Sequence, residues 1–149
     1  PAPQAAPAPQ ETAEWTVMYF INGKNNLEQY ADPNLNQMES VGSTDQVHIV
    51  AEVGKLSDGV KRYRLVKDAE PTRVTSPVLA DLGRQDMGDW KELAEFGKWA
   101  KANYPAKRYL LSIWNHGSGW VKASEEEMAT RKPVDTAAKK SAEVERRTS

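Results

Sequence analysis

The 149-residue chain contains no cysteine. That absence removes disulfides, thiolate zinc sites, iron–sulfur clusters and any thiol nucleophile supplied by the chain itself. It also lacks an excess of either charge, because 20 Lys and Arg face 21 Asp and Glu for a formal net charge of -1. Nucleic-acid binders carry a clear basic excess, so no nucleic-acid partner is expected. No apolar run approaches the roughly 20 residues of a membrane-spanning helix, so no membrane span is expected. Neither Ser112 nor Ser118 lies in a G-x-S-x-G elbow, which leaves a serine triad little support. Asp81, Asp86 and Asp89 cluster without EF-hand spacing and read better as a solvated acidic loop. Histidine is scarce, with two in the chain. No second histidine or carboxylate stands near His116 at metal-ligand spacing. No metal and no cofactor is therefore expected, calcium being the one ion the acidic loop leaves open.

What is present falls into three segments. Residues 1–14 form a Pro/Ala-rich spacer, and the first ten hold four of the nine prolines. Such a stretch cannot bury a core and reads as extended and semi-stiff. The chain begins at Pro1 rather than Met, as expected of a processed, engineered or partial chain; a removed secretion signal is one natural explanation. A spacer of this kind, just after a signal or lipid anchor, holds a domain away from an envelope surface. An arbitrary disordered terminus is the plainer alternative. Residues 121–149 are a flexible charged tail, with 13 charged residues among 29 and no apolar stripe wide enough to dock.

A fold can live in residues 15–120. Trp15 to Ile21 is a continuous aromatic and branched run ending at Asn22-Gly23, which predicts a strand buried on both faces. Asn25-Asn26 can cap a helix through about Val41, with Leu27, Tyr30, Leu35, Met38 and Val41 inward and Pro33 marking a break or late start. Gln46 to Val53 predicts a second strand, and Lys61 to Val66 a half-exposed strand or hairpin arm. Trp90 to Tyr104 predicts a helix burying Leu93, Phe96 and Ala100, stopped by Pro105. Arg108 to Trp114 predicts another buried strand. The five tryptophans at such positions read as core. This order implies an α/β layer fold with a parallel sheet covered on both faces. Three core strands are few for such a fold, so the chain reads as part of a larger sheet.

Sites in open α/β sheets form beyond the carboxyl ends of strands. Two loops qualify, Asn22 to Asn26 and Asn115 to Gly119. His116 is the leading single candidate, since an imidazole that titrates near neutrality at a strand end suits general acid–base work. Gly117, Ser118 and Gly119 beside it let backbone approach a ligand. A loop histidine bonded to backbone is the structural alternative. His48, inside a predicted strand, reads as structural.

The segments WTVMYFINGKNNLEQYA, QMESVGS and LGRQDMGDWKELAEFGKWAKANYPAKRYLLSIWNHGSGW, in that order, resemble the N-terminal part of the clostripain family of cysteine peptidases. These are bacterial relatives of caspases, gingipains and legumains. The resemblance covers about residues 15–120. It implies a partial caspase-like three-layer fold, a mostly parallel sheet flanked by helices and completed by a second chain. It also implies that His116 is the catalytic histidine and that the Gly117 N–H helps form the oxyanion hole. The nucleophilic cysteine follows the next core strand in the family, so here it would belong to a heavy chain cut from the same precursor. The expected substrates are peptides and proteins cleaved after Arg or Lys, and the expected location is secreted or at the bacterial cell envelope.

The sequence departs from the family pattern in lacking the cysteine and in carrying Lys24 where relatives commonly have Asp. A lysine bordering the pocket would oppose a basic substrate side chain. Asn22 is the residue of this loop expected to line the pocket. Three dibasic pairs in the tail, Arg131-Lys132, Lys139-Lys140 and Arg146-Arg147, suit processing by a peptidase selecting basic residues; ordinary solubilising charge explains them equally. The competing function is a truncated or degenerate relative that binds proteins or peptides without cleaving them.

Overall fold

A computed structural model describes residues 12–117. The first eleven residues of the spacer, the whole tail with its dibasic pairs, and Ser118 to Trp120 lie outside the described residues. Five strands and two helices follow in the order β1 (Ala13–Gly23), α1 (Glu28–Glu39), β2 (Val47–Lys55), β3 (Gly59–Arg64), β4 (Val78–Gly83), α2 (Trp90–Asn103) and β5 (Ala106–Trp114). They form one sheet of order β4-β3-β2-β1-β5. The three strands expected as core, β2, β1 and β5, pair in parallel. β3 returns antiparallel to β2 as the hairpin arm, and β4 adds antiparallel to β3. The sheet is therefore mixed, with its parallel part at the β5 side. β1 begins at Ala13, two residues inside the stretch read as spacer.

Alternation along β1 sorts the core into two layers. Met18 and Phe20 point to the side of α2 and cluster with Val50, Val60, Met87, Phe96 and Ala100. Ile21 points the other way, joining Ala31 and Leu35 of α1 with Ala51, Val53, Tyr63 and Leu65. The two helices thus cover opposite faces.

Three readings need correction. α1 runs through Pro33 without a break. The carbonyl that Pro33 leaves without its amide partner belongs to Gln29, and both residues lie on the exposed face where water can reach. The buried stripe of α1 is Ala31, Leu35 and Glu39, while Tyr30 and Val41 are exposed. Glu39 is buried because its carboxylate accepts from the Thr75 and Ser76 amides at 3.0 and 2.6 Å, clipping the following loop to the helix end. The third correction is β5, which the apolar run predicts as buried. It is an edge with Leu110, Leu111 and Ile113 exposed. Of the tryptophans, Trp15 and Trp90 are likewise exposed rather than core.

Candidate functional site

The carboxyl ends of β1 and β5 lie side by side, because Ile21 is in register with Trp114. From β1 the chain crosses to β2 on one side, and β5 enters on the other. The loops leaving these two neighbours therefore meet at the point where the strand order reverses, the place where open α/β sheets bind ligands.

Asn25 holds the β1 loop in shape. Its Oδ1 accepts from the Leu27 amide at 2.8 Å, and its Nδ2 donates to the Asn22 carbonyl at 3.1 Å. The same Nδ2 reaches Asn115 Oδ1 of the β5 loop at 3.0 Å, and Asn115 Oδ1 also accepts from the His116 amide at 2.7 Å. The imidazole closes the bridge, with His116 Nε2 2.6 Å from Asn26 Oδ1. Both loops picked out from the sequence are thus joined by a chain of carboxamides ending on His116. The expected capping role of Asn25-Asn26 does not hold: the N-cap of α1 is Leu27 and makes no side-chain cap bond. Asn25 is consumed by its turn, and Asn26 turns to the histidine.

His116 is exposed and follows an exposed edge strand, so its ring has open space to one side. Gly117 is the last described residue, and a methyl group added at its Cα would meet nothing within 4 Å. Asn22 sits at half-burial in β1 with its Oδ1 accepting from the Lys24 amide at 3.2 Å. It shapes the loop, and it is not among the lining residues of the adjacent 580 Å³ cavity formed by Lys24, Lys55, Asp58, Asp81 and Arg84, among others. The Lys24 ammonium donates to the Gln85 carbonyl, which fixes its charge toward the loop after β4.

The acidic residues of that region do local work. Asp81 lies in β4, not in a loop, and accepts from the Gly83 amide. Asp86 accepts from the Gly88 amide and Asp89 caps α2 through the Lys91 amide. Among the described residues no group of three or more His, Asp and Glu is placed to hold a metal ion. His48 lies at the opposite end of the parallel strands with its ring centroid 5.4 Å from that of Tyr104. Burial, then the Arg64 charge, pushes its imidazole below the usual histidine range. Asn26 and Asn115 are functional candidates that sequence reading missed, although both stand in the loops it selected.

The profile of the clostripain family matches residues 19–137. A secreted C11 cysteine protease from Bacteroides thetaiotaomicron, solved with an irreversible peptide inhibitor, is 28% identical with a TM-score of 0.62; the match covers 74% of this chain and 32% of that one. An inactive zymogen C11 protease from Parabacteroides distasonis is 23% identical with a TM-score of 0.60, covering 75% of this chain and 33% of that one. A cysteine protease from B. fragilis is 21% identical with a TM-score of 0.61, covering 74% of this chain and 95% of that one. This chain therefore spans nearly the whole of one solved chain and about a third of the other two. No curated protein sequence matches it.

Proposed function

This chain belongs to the clostripain family of cysteine peptidases, and we propose that it is the histidine-bearing light chain of a secreted or envelope-associated endopeptidase that cleaves after Arg or Lys. The nucleophile comes from outside this sequence, which has no cysteine. In the reaction, His116 takes the thiol proton, and the thiolate adds to the scissile carbonyl carbon. The Gly117 N–H donates to the developing oxyanion. The C–N bond then breaks as the imidazolium protonates the leaving amine, and water, deprotonated by His116, hydrolyses the thioester and returns the thiol. Asn22, at the end of β1, is the residue proposed to face the substrate side chain.

The observation that carries the reading is β5. Leu110 shares the α1 face with Val17, while Leu111 and Ile113 share the α2 face with Met18 and Phe20. A strand apolar on both faces is the pattern of a sheet interior. Here Leu110 is 45% and Ile113 62% exposed. The opposite edge is different. β4 has six residues, two register shifts against β3 and an Asp in its middle, devices that blunt edges against pairing. β5 has nine residues and no register shift against β1, and its two charges, Lys107 and Arg108, stand at its start, leaving Tyr109 to Trp114 without any. On the α1 face an apolar groove of about 500 Å³, lined by Val17, Tyr19, Met38, Val41, Ile49 and Trp114, lies open beside it. A neighbouring strand and a covering layer from the cysteine-bearing heavy chain would fill both places.

The test is a panel of fluorogenic peptides that differ only before the scissile bond, cleaved by the native protein. Cleavage after Arg or Lys is expected, with little after Leu or Asp. Equal cleavage of all four, or of none, would refute the reading. Ile113→Glu, on a side chain already exposed here, is expected to stop this chain associating with a cysteine-bearing one while leaving its own unfolding transition in place. Retained association would place the partner elsewhere.

A further inference from the structure

We propose that Asn26 is the positioning residue of His116, selecting which ring nitrogen carries the proton; the inference rests on His116 being the peptidase histidine. The geometry gives Asn26 this role and Asn25 another. Asn25 is spent on the loop, with its Oδ1 on the Leu27 amide and its Nδ2 on the Asn22 carbonyl and Asn115. Asn26 caps no helix, and its Oδ1 stands 2.6 Å from His116 Nε2. A carboxamide oxygen can only accept, so Nε2 must be the donor and the neutral ring carries its proton there. Nδ1 is then the nitrogen with a lone pair, the one that can take a proton from a thiol and return it to an amine.

The bond also fixes the ring in space. His116 is exposed two residues beyond the end of β5, where an unrestrained imidazole would sample several rotamers. Asn115 ties the backbone at His116 to the β1 loop through its Oδ1, and Asn26 ties the ring to the same loop. The backbone tether and the ring tether have one origin, the turn held by Asn25. The β1 loop thereby contributes to the reaction without touching the substrate. Among the described residues the His116 ring is hydrogen-bonded by the Asn26 carboxamide and by no carboxylate, so the ring is oriented by a neutral group.

The test separates this inference from the peptidase reading by using two measurements. In the full chain, imidazole nitrogen chemical shifts of His116, told from those of His48 by the spectrum of His116→Gln, report the tautomer directly. Wild type is expected to show a protonated Nε2 and a bare Nδ1. Asn26→Ala is expected to give a mixture of the two forms, and Asn26→Asp, which keeps an acceptor oxygen in place, to restore the single one. In the native peptidase, Asn26→Ala is expected to lower kcat by about tenfold to a hundredfold, the scale of a misplaced catalytic group, with KM nearly unchanged. An unaltered tautomer in Asn26→Ala would overturn the inference, as would a rise in KM with kcat retained. Absence of peptidase activity in wild type would instead overturn the functional reading, whatever the spectra show.

Discussion

Replacing His116 by alanine is expected to lower kcat/KM of the native peptidase by about a hundredfold to ten-thousandfold, the usual contribution of a positioned acid–base group. That corresponds to about 3–5 kcal/mol of lost transition-state stabilisation. The loss belongs mainly in kcat, because in the proposed reaction the imidazole moves protons during bond making and breaking rather than holding the substrate. Folding is expected to be unaffected. The side chain is exposed and its hydrogen bond to Asn26 lies on the surface. A urea midpoint equal to that of wild type, together with unchanged association, would show that only chemistry was removed. Activity within tenfold of wild type would mean that His116 is a structural loop histidine.

The second large effect is on stability, at the pair formed by Glu52 and Arg62 beneath α2. Arg62 Nε donates to Glu52 Oε2 at 2.6 Å, Glu52 is fully buried and Arg62 nearly so. The guanidinium also lies 5.1 Å from the Trp99 ring and 6.0 Å from that of Phe96. Burial pushes the Glu52 carboxyl above its ordinary value near 4.5, against the opposing pull of Arg62. Arg62→Met leaves that carboxylate without its counter-ion and is expected to cost about 3–5 kcal/mol at neutral pH. Replacing both partners, as Glu52→Leu with Arg62→Met, is expected to recover most of the loss, because neither desolvation nor an unpaired charge remains.

The pH dependence follows from the raised value. A carboxyl that holds its proton more tightly when folded favours the folded state below 4.5, and that contribution is lost as pH rises through the folded value. The deficit of Arg62→Met is therefore expected to shrink as pH falls toward 4.5. Urea midpoints across that interval measure it, provided the slope of each transition stays constant. A cost below about 1 kcal/mol at neutral pH, the range of exposed pairs, would show that water reaches the pair.

Much of this architecture is legible in the sequence because burial writes itself into apolar patterns. β1 and β2 are nearly continuous apolar runs, and α2 carries Phe96 and Ala100 at helical spacing before Pro105. β4 is not legible, since Val78 to Gly83 is an edge strand with four of its six residues exposed and an Asp among them. Glu39 misleads for the opposite reason: a carboxylate reads as surface until its two amide donors, more than thirty residues away, are known. β5 shows a further limit. Its apolar residues declare that both faces want cover, but a sequence cannot say whether the cover comes from the same chain. At the site, the strand-end rule finds both loops and His116. It does not find the bond from Asn26, because that contact joins residues 90 positions apart and depends on β1 and β5 being neighbours.

The central claim is that His116 works with a thiol borne by another polypeptide seated on β5. Its most direct test is the intact mass of the native protein, taken first without denaturant and then with it, before and after treatment with a thiol-reactive peptide ending in lysine. The expected result is a complex that separates into this cysteine-free chain and a second chain, with the added mass of the peptide found on the second chain alone. A single species with the mass of this chain, unchanged by the reagent, would contradict the claim.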